Sequence, residues 1–305
     1  MKTYLECVPC FIRQALDAAK KITDDVPTRE KILRKALKNA AEADFSLPPP
    51  VFGQIIHRYI REETGSPDPY FGIKKKFNSL CIKSRAELLE KIRSSKKPLS
   101  FALKTAIAGN IIDFGAMTMD VKDLEESILH AASFEFENRE DEVLLERMKE
   151  CRSILYIADN AGEIILDSLF IETLPDEIRK NITLAVRGAP IINDATMEDA
   201  VEAGLTEIVR VITTGIDAPG VILSECSEEF REAFNSAEMI IAKGQGNYET
   251  LGDEYTTDIF FLLKVKCPLV AQHTGKDLMS INIIRNTIKK TGDDYGKDPA
   301  RTGRP

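Results

Sequence analysis

The spacing of apolar positions changes near residue 150. Upstream they recur at helical intervals: Phe11, Ile12, Ala15, Leu16 and Ala19 share one face of a 3.6-residue repeat, and Leu88, Leu89 and Ile92 do so between charged residues. The pattern predicts an all-helical region over 1–148, interrupted at "SLPPPVFG" and "TGSPDPYFG", where proline removes a backbone donor and restricts its predecessor. Downstream, the short apolar runs "SILYIA", "ITLAVR", "IVRVIT", "AEMIIA" and "IFFLLKV" alternate with amphipathic segments. That alternation predicts βαβ units and a parallel, doubly wound sheet over 149–305. Both faces of such a sheet are covered, so its strands need not alternate, and ligands gather at their carboxyl ends.

Polar, glycine-bearing loops follow each of the first four runs: "DNAGE", "RGAPIINDAT", "TTGIDAPG" and "KGQGNYE". They should share one edge, and that edge is the candidate active edge. Asp159 and Asn160 end the first run, and Asn193 and Asp194 lie in the next loop. Hard oxygen donors from two adjacent loops suit one divalent cation, whereas a structural zinc site would call for Cys or His. The competing reading makes Asp159 the N-cap of the next helix. In "AKGQGNYE", backbone amides of Gly244 and Gly246 could cradle an anion, with Lys243 adding a point charge. Neither a Walker loop nor a G-x-G-x-x-G turn is present, which counts against a dinucleotide or methyl donor in the usual position. Arg187 reads as a further phosphate ligand or a surface charge.

In the helical half, Asn110 and Asp113 interrupt the apolar run "AIAGNIIDFG"; they are internal hydrogen-bonding groups or a second wall of the site. "DPYFG" reads as a turn or as part of that wall. Cys7 and Cys10 form a C-x-x-C without the further ligands a zinc site needs, so packing is favoured over a helix-end metal contact. His57, His130 and His273 are scattered, and none is assigned a catalytic role.

Composition narrows the functional classes. At 305 residues the chain is long enough for one large or two modest domains with a proper core. Its formal net charge of -8 provides no footprint for nucleic acid or an anionic membrane, so a small-molecule partner is expected. No apolar stretch approaches a membrane span, and the six cysteines read as reduced thiols; a cytoplasmic location is expected. Homo-oligomerisation is left open.

The ordered set "CVPC", "AGNIIDFG", "DNAGE", "RGAPIINDAT", "KGQGNYE" and "LLKVKCPLVA" closely resembles the damage-control phosphatases, formerly domain of unknown function 89. The likeness is to their stand-alone archaeal and bacterial branch with an N-terminal C-x-x-C, and it spans nearly the whole chain. It implies a helical N-terminal region and a Rossmann-like α/β/α domain with a mainly parallel sheet. The implied activity is metal-dependent hydrolysis of sugar phosphates or damaged phosphorylated metabolites. By position, the resemblance puts the cation (Mn, Co, Ni or Mg) on Asp159, Asn160 and Asp194, and the phosphate on Lys243. Glu163 would be a base or an orienting group. Metal-bound water is the simplest nucleophile, and Ala161, where D-x-D phosphatases carry a second acid, argues for it over an aspartyl phosphate on Asp159. Two rival readings stand beside the phosphatase: an S-adenosylmethionine-dependent carboxyl methyltransferase, an activity described within the family, and a non-catalytic sugar-phosphate or nucleotide binder.

Overall fold

The computed structural model describes residues 1–111, 120–136, 138–253 and 257–286. The chain opens with helices α1 (Cys7–Ile22), α2 (Val26–Ala41), α3 (Pro49–Thr64), α4 (Phe71–Ser94), α5 (Pro98–Ala108), α6 (Val121–Ala132) and α7 (Glu140–Glu150). Their ends follow local rules. Asp25 accepts from the Thr28 amide at 2.9 Å to cap α2, and α3 stops at Gly65 in the left-handed conformation. "DPYFG" is the entry turn of α4, with Asp68 accepting from the Tyr70 amide at 3.0 Å.

From residue 154 the chain alternates: β1 (Ile154–Ile157), α8 (Glu163–Thr173), α9 (Asp176–Arg179), β2 (Ile182–Val186), α10 (Met197–Glu202) and β3 (Arg210–Thr213). It continues through α11 (Glu228–Ser236), β4 (Met239–Lys243), α12 (Gln245–Leu251), β5 (Ile259–Lys264), α13 (Pro268–Thr274) and β6 (Ile281–Asn286). The sheet order is β3-β2-β1-β4-β5-β6, with every pair parallel except β5 and β6. The mixed α/β class with a mainly parallel sheet is therefore as expected. The antiparallel edge strand β6 was not expected, because its Asn282, Arg285 and Asn286 break the apolar signal that marks the inner strands.

Strand residues divide between two cores by parity, as the pleat requires. Ile154 and Tyr156 pack with α4–α8 through residues such as Leu88, Leu103, Leu144 and Leu166, whereas Leu155 and Ile157 pack with Phe230, Tyr248 and Val270 of α11–α13. Helices α1–α3 build a third core around Phe11, Ile32 and Ile56, with the Phe11 and Phe52 rings stacked at 4.1 Å. The helical half thus packs in two ways: α4–α7 share a core with the sheet, and α1–α3 have their own.

Polar contacts hold that third core over the carboxyl edge of the sheet. Arg58 and Arg61 of α3 both pair with Asp217 in the loop after β3, the former at 2.6 Å. The Met1 ammonium donates to the Glu249 carbonyl of α12 at 2.6 Å. Strand β1 is also the topological switch point, because the chain leaves it first toward β2 and β3 and then returns to β4 on its other side. A crevice opens there, under the roof of α1 and α3.

Candidate active site

The loops after β1 and β2 are joined by backbone hydrogen bonds. The Ala161 amide donates to the Asn193 carbonyl, and the Ala195 amide to the Asp159 carbonyl, each at 2.8 Å. These bonds bring the Asp159–Asn160 and Asn193–Asp194 pairs side by side, as their positions in the sequence suggest. Asp159 does not cap α8: that helix starts from Gly162 without a side-chain cap. Its carboxylate instead turns into the crevice toward β4, where Gly244 has φ +78° and where an added Cβ would lie 1.9 Å from Asp159 Oδ2. Glycine is required there on both counts.

Two amides fix the carboxylates. Nδ2 of Asn110 donates to Asp159 Oδ2 at 2.9 Å and to Glu163 Oε2 at 3.1 Å; Nδ2 of Asn160 reaches the same two oxygens at 2.7 and 2.9 Å. Asn110 therefore belongs to the site wall. Asp113 lies outside the described residues. Arg187, at the end of β2, is 1% exposed and is no surface charge; its Nε donates to Asp194 Oδ2 at 2.7 Å, and its Nη2 lies 3.8 Å from Asp159 Oδ1. Neither Nη1 nor Nη2 has a hydrogen-bond partner.

Lys243 departs from its expected place. Its ammonium is fully buried, paired with Glu163 Oε1 at 2.8 Å and with Asp167, and it also donates to the Ala106 carbonyl at 3.0 Å. With its ammonium turned to these three partners, it stands behind Glu163 and is absent from the cavity wall. Gly244 is likewise committed, its amide donating to the Leu262 carbonyl at 2.9 Å. Gly246 does line the cavity.

The charge balance explains the acidities. Burial first, then the neighbouring Glu163 and Asp194 carboxylates, push Asp159 up to about 8, against the opposing pull of Arg187 and Lys266. Burial also raises Asp194, with Arg187 opposing. Asp167 is raised to about 6 by burial, although Lys243 draws it down. Lys243 itself loses by burial but is held above its ordinary range by Asp167 and Glu163. An excess of buried negative charge over Asp159 and Asp194 is the setting in which a hard divalent cation fits, and the donors on offer are carboxylate and amide oxygens. Among the described residues, no three His, Cys, Asp or Glu side chains form a ready-made metal cage. Such a site therefore depends on the Asn160 amide as well.

Above these groups lies a cavity of about 580 Å³. Asp159, Asn160 and Asp194 line it, together with the apolar Phe11, Pro50, Ile192 and Leu269. Lys266 also lies on its wall; the sequence assigns it no role, and only its position just past β5 points to one.

The family described as the damage-control phosphatase ARMT1-like domain matches residues 3–281. The chain belongs to that family. It is 36% identical over 290 residues to damage-control phosphatase PH1575 of Pyrococcus horikoshii, an alignment covering 95% of this chain and 100% of that one. It is 35% identical over 280 residues to a damage-control phosphatase of Archaeoglobus fulgidus, covering 90% and 96%. The uncharacterized protein MJ0202 of Methanocaldococcus jannaschii is 39% identical over 285 residues, covering 90% and 92%. The crystal structure of the Pyrococcus horikoshii protein, described as a member of the duf89 family, superposes with a TM-score of 0.84 at 35% identity, over 94% of this chain and 99% of that chain. Among the described residues no helix is long and apolar enough to cross a membrane.

Proposed function

We propose that this member of the family is a metal-dependent phosphoric monoester hydrolase that takes small phosphorylated metabolites, sugar phosphates or damaged ones, in the crevice between β1 and β4. The observation that carries the reading is the pair of carboxylates, Asp159 and Asp194, which line the cavity together with the Asn160 amide and suit a cation. Arg187 stands behind them, outside the cavity lining, with its Nε on Asp194 Oδ2 at 2.7 Å and its Nη2 3.8 Å from Asp159 Oδ1.

Asp159, Asn160 and Asp194 would hold the cation, whether Mn, Co, Ni or Mg. When bound, it would supply Lewis-acid stabilisation of the phosphoryl charge and a more acidic water. The chain's own residues do the rest. Arg187 would hold Asp194 and Asp159 from behind, and its charge would offset theirs in a site shielded from solvent. Asn110 and Asn160 keep Asp159 in one orientation, so it meets the substrate already organised. Glu163 is 2% exposed and engaged at both oxygens, by the two amides and by Lys243, which favours an orienting role over that of a mobile base. Lys243 and Asp167 would support Glu163 from below, and Gly246 and Asn193 border the space for substrate.

The test is phosphate release from a panel of sugar phosphates and other phosphomonoesters, with each metal in turn and with chelator. Metal-dependent release supports the reading. No release with any metal from folded protein would overturn it for those esters.

A further inference from the structure

The C-x-x-C of α1 takes no part in the hydrolysis proposed above, yet both of its thiols line the cavity that holds Asp159 and Asp194. Cys267, in the link between β5 and α13, lines it too. The remaining thiols, Cys81, Cys151 and Cys226, are shut into the two cores of the sheet. The cysteines thus separate into an inert buried group and a group gathered at one cavity.

Cys7 is 8% exposed and accepts from the Tyr4 amide at 3.4 Å, whereas Cys10 is exposed. Burial raises the Cys7 thiol, with Cys267, Glu249 and Cys10 among the neighbours that add to the effect and the Tyr4 amide opposing it. The turn that carries both residues is well anchored. The Met1 ammonium donates to the Glu249 carbonyl at 2.6 Å, and the Thr3 amide donates to the Leu47 carbonyl at 2.9 Å. Residues three apart in a helix have Cα atoms about 5 Å from each other, inside the range that a disulfide spans. One exposed thiol, one shielded thiol a helical turn away and a rigid turn make a dithiol, whereas no ready-made cage of three metal-ligating side chains occurs among the described residues.

We propose that Cys7 and Cys10 are a redox-active dithiol in the cavity wall, converted by a peroxide to a disulfide. The Cys10 thiolate attacks one peroxide oxygen, the O–O bond breaks, and Cys10 becomes a sulfenic acid. Cys7 sulfur then attacks Cys10 sulfur; the S–S bond forms, the S–O bond breaks, and water leaves with the Cys7 proton. With hydrogen peroxide the balance is two thiols and one peroxide to one disulfide and two waters, the sulfurs giving two electrons to oxygen.

The test needs no assumption about the hydrolase activity. The folded full chain is treated with hydrogen peroxide, its free thiols are counted, and its peptides are mapped by mass spectrometry before and after dithiothreitol. The expected result is loss of two thiols, a peptide containing Cys7 and Cys10 lighter by two hydrogens, and full reversal by the reductant. Cys10→Ser, a change at an exposed position, should retain Cys7 as a free thiol under the same treatment. An unchanged thiol count, Cys10 driven to sulfinic or sulfonic acid with Cys7 still free, or a disulfide that uses Cys267 instead would each overturn the proposal.

Discussion

Gly244 has no side chain at the point where the Asp159 carboxylate lies; a Cβ there would fall 1.9 Å from Asp159 Oδ2. Glycine at the end of β4 is therefore a condition for the acid at the end of β1 to face the crevice. The two residues come from strands that are neighbours in space and far apart in sequence.

Gly244→Ala should accordingly damage the site and the fold together. Its φ of +78° costs about 1–3 kcal/mol for a residue with a Cβ, and the carboxylate must move aside. We expect hydrolysis to fall at least 100-fold, about 2.7 kcal/mol of lost transition-state stabilisation. Steady-state kinetics and urea unfolding measure the two effects separately. Wild-type activity in this variant would refute the close approach.

Lys243→Met should act mainly on stability. It leaves Glu163 and Asp167 without their cation in a fully buried setting, and breaking such a pair costs about 3–5 kcal/mol. Adding Asp167→Asn should recover part of the loss, because one of the stranded charges is then removed. If Lys243 instead acted chiefly by touching phosphate, the single variant would retain its unfolding midpoint and show only a raised KM.

Arg187→Lys keeps a charge but loses the planar fork. We expect kcat/KM for a phosphomonoester to drop about 10- to 100-fold, or about 1.4–2.7 kcal/mol, because the fork that fixes Asp194 beside Asp159 is lost. Arg187→Met should in addition destabilise the protein, since Asp194 would remain buried without its 2.7 Å partner. Equal kinetics for the natural protein and Arg187→Lys would show that the guanidinium geometry does not matter to the carboxylate pair.

Asp159, Asp194 and Lys243 differ in how far the sequence announces them. Asp159 and Asp194 are legible because a parallel, doubly wound sheet puts ligand groups at strand ends, and apolar runs mark where the strands stop. Lys243 also ends a strand, but nothing local distinguishes a lysine turned toward solvent from one buried against Glu163 and Asp167. That choice depends on a tertiary contact with α8. Strand β6 escapes for a different reason: Asn282, Arg285 and Asn286 interrupt it, so it lacks the continuous apolar run. The sharing of one core by α4–α7 and the sheet is likewise invisible in a helical periodicity, which reports that a face is buried and not what buries it.

His57 makes a prediction about pH. It is 3% exposed, its Nε2 has no hydrogen-bond partner, and burial, with Arg61 adding to it, lowers its pKa to about 3. In the unfolded chain it takes up a proton near pH 6.5. Below that value the unfolded state binds a proton that the folded state does not, so stability falls as pH drops from about 6.5 toward 3. The slope approaches about 1.4 kcal/mol per unit for this one group. His57→Phe should flatten the pH dependence of urea unfolding between pH 4 and 6 by about that amount. An unchanged slope would mean that His57 is protonated in the native state.

The most direct test of the account is a titration of Mn²⁺ into metal-stripped protein by calorimetry, with phosphate release followed in the same samples, for the natural chain and for Asp159→Ala. The expected result is a saturable cation site in the natural chain, hydrolysis that appears as that site fills, and loss of both binding and turnover in the variant. Full-rate hydrolysis in excess chelator, or undiminished binding and turnover in Asp159→Ala, would contradict it.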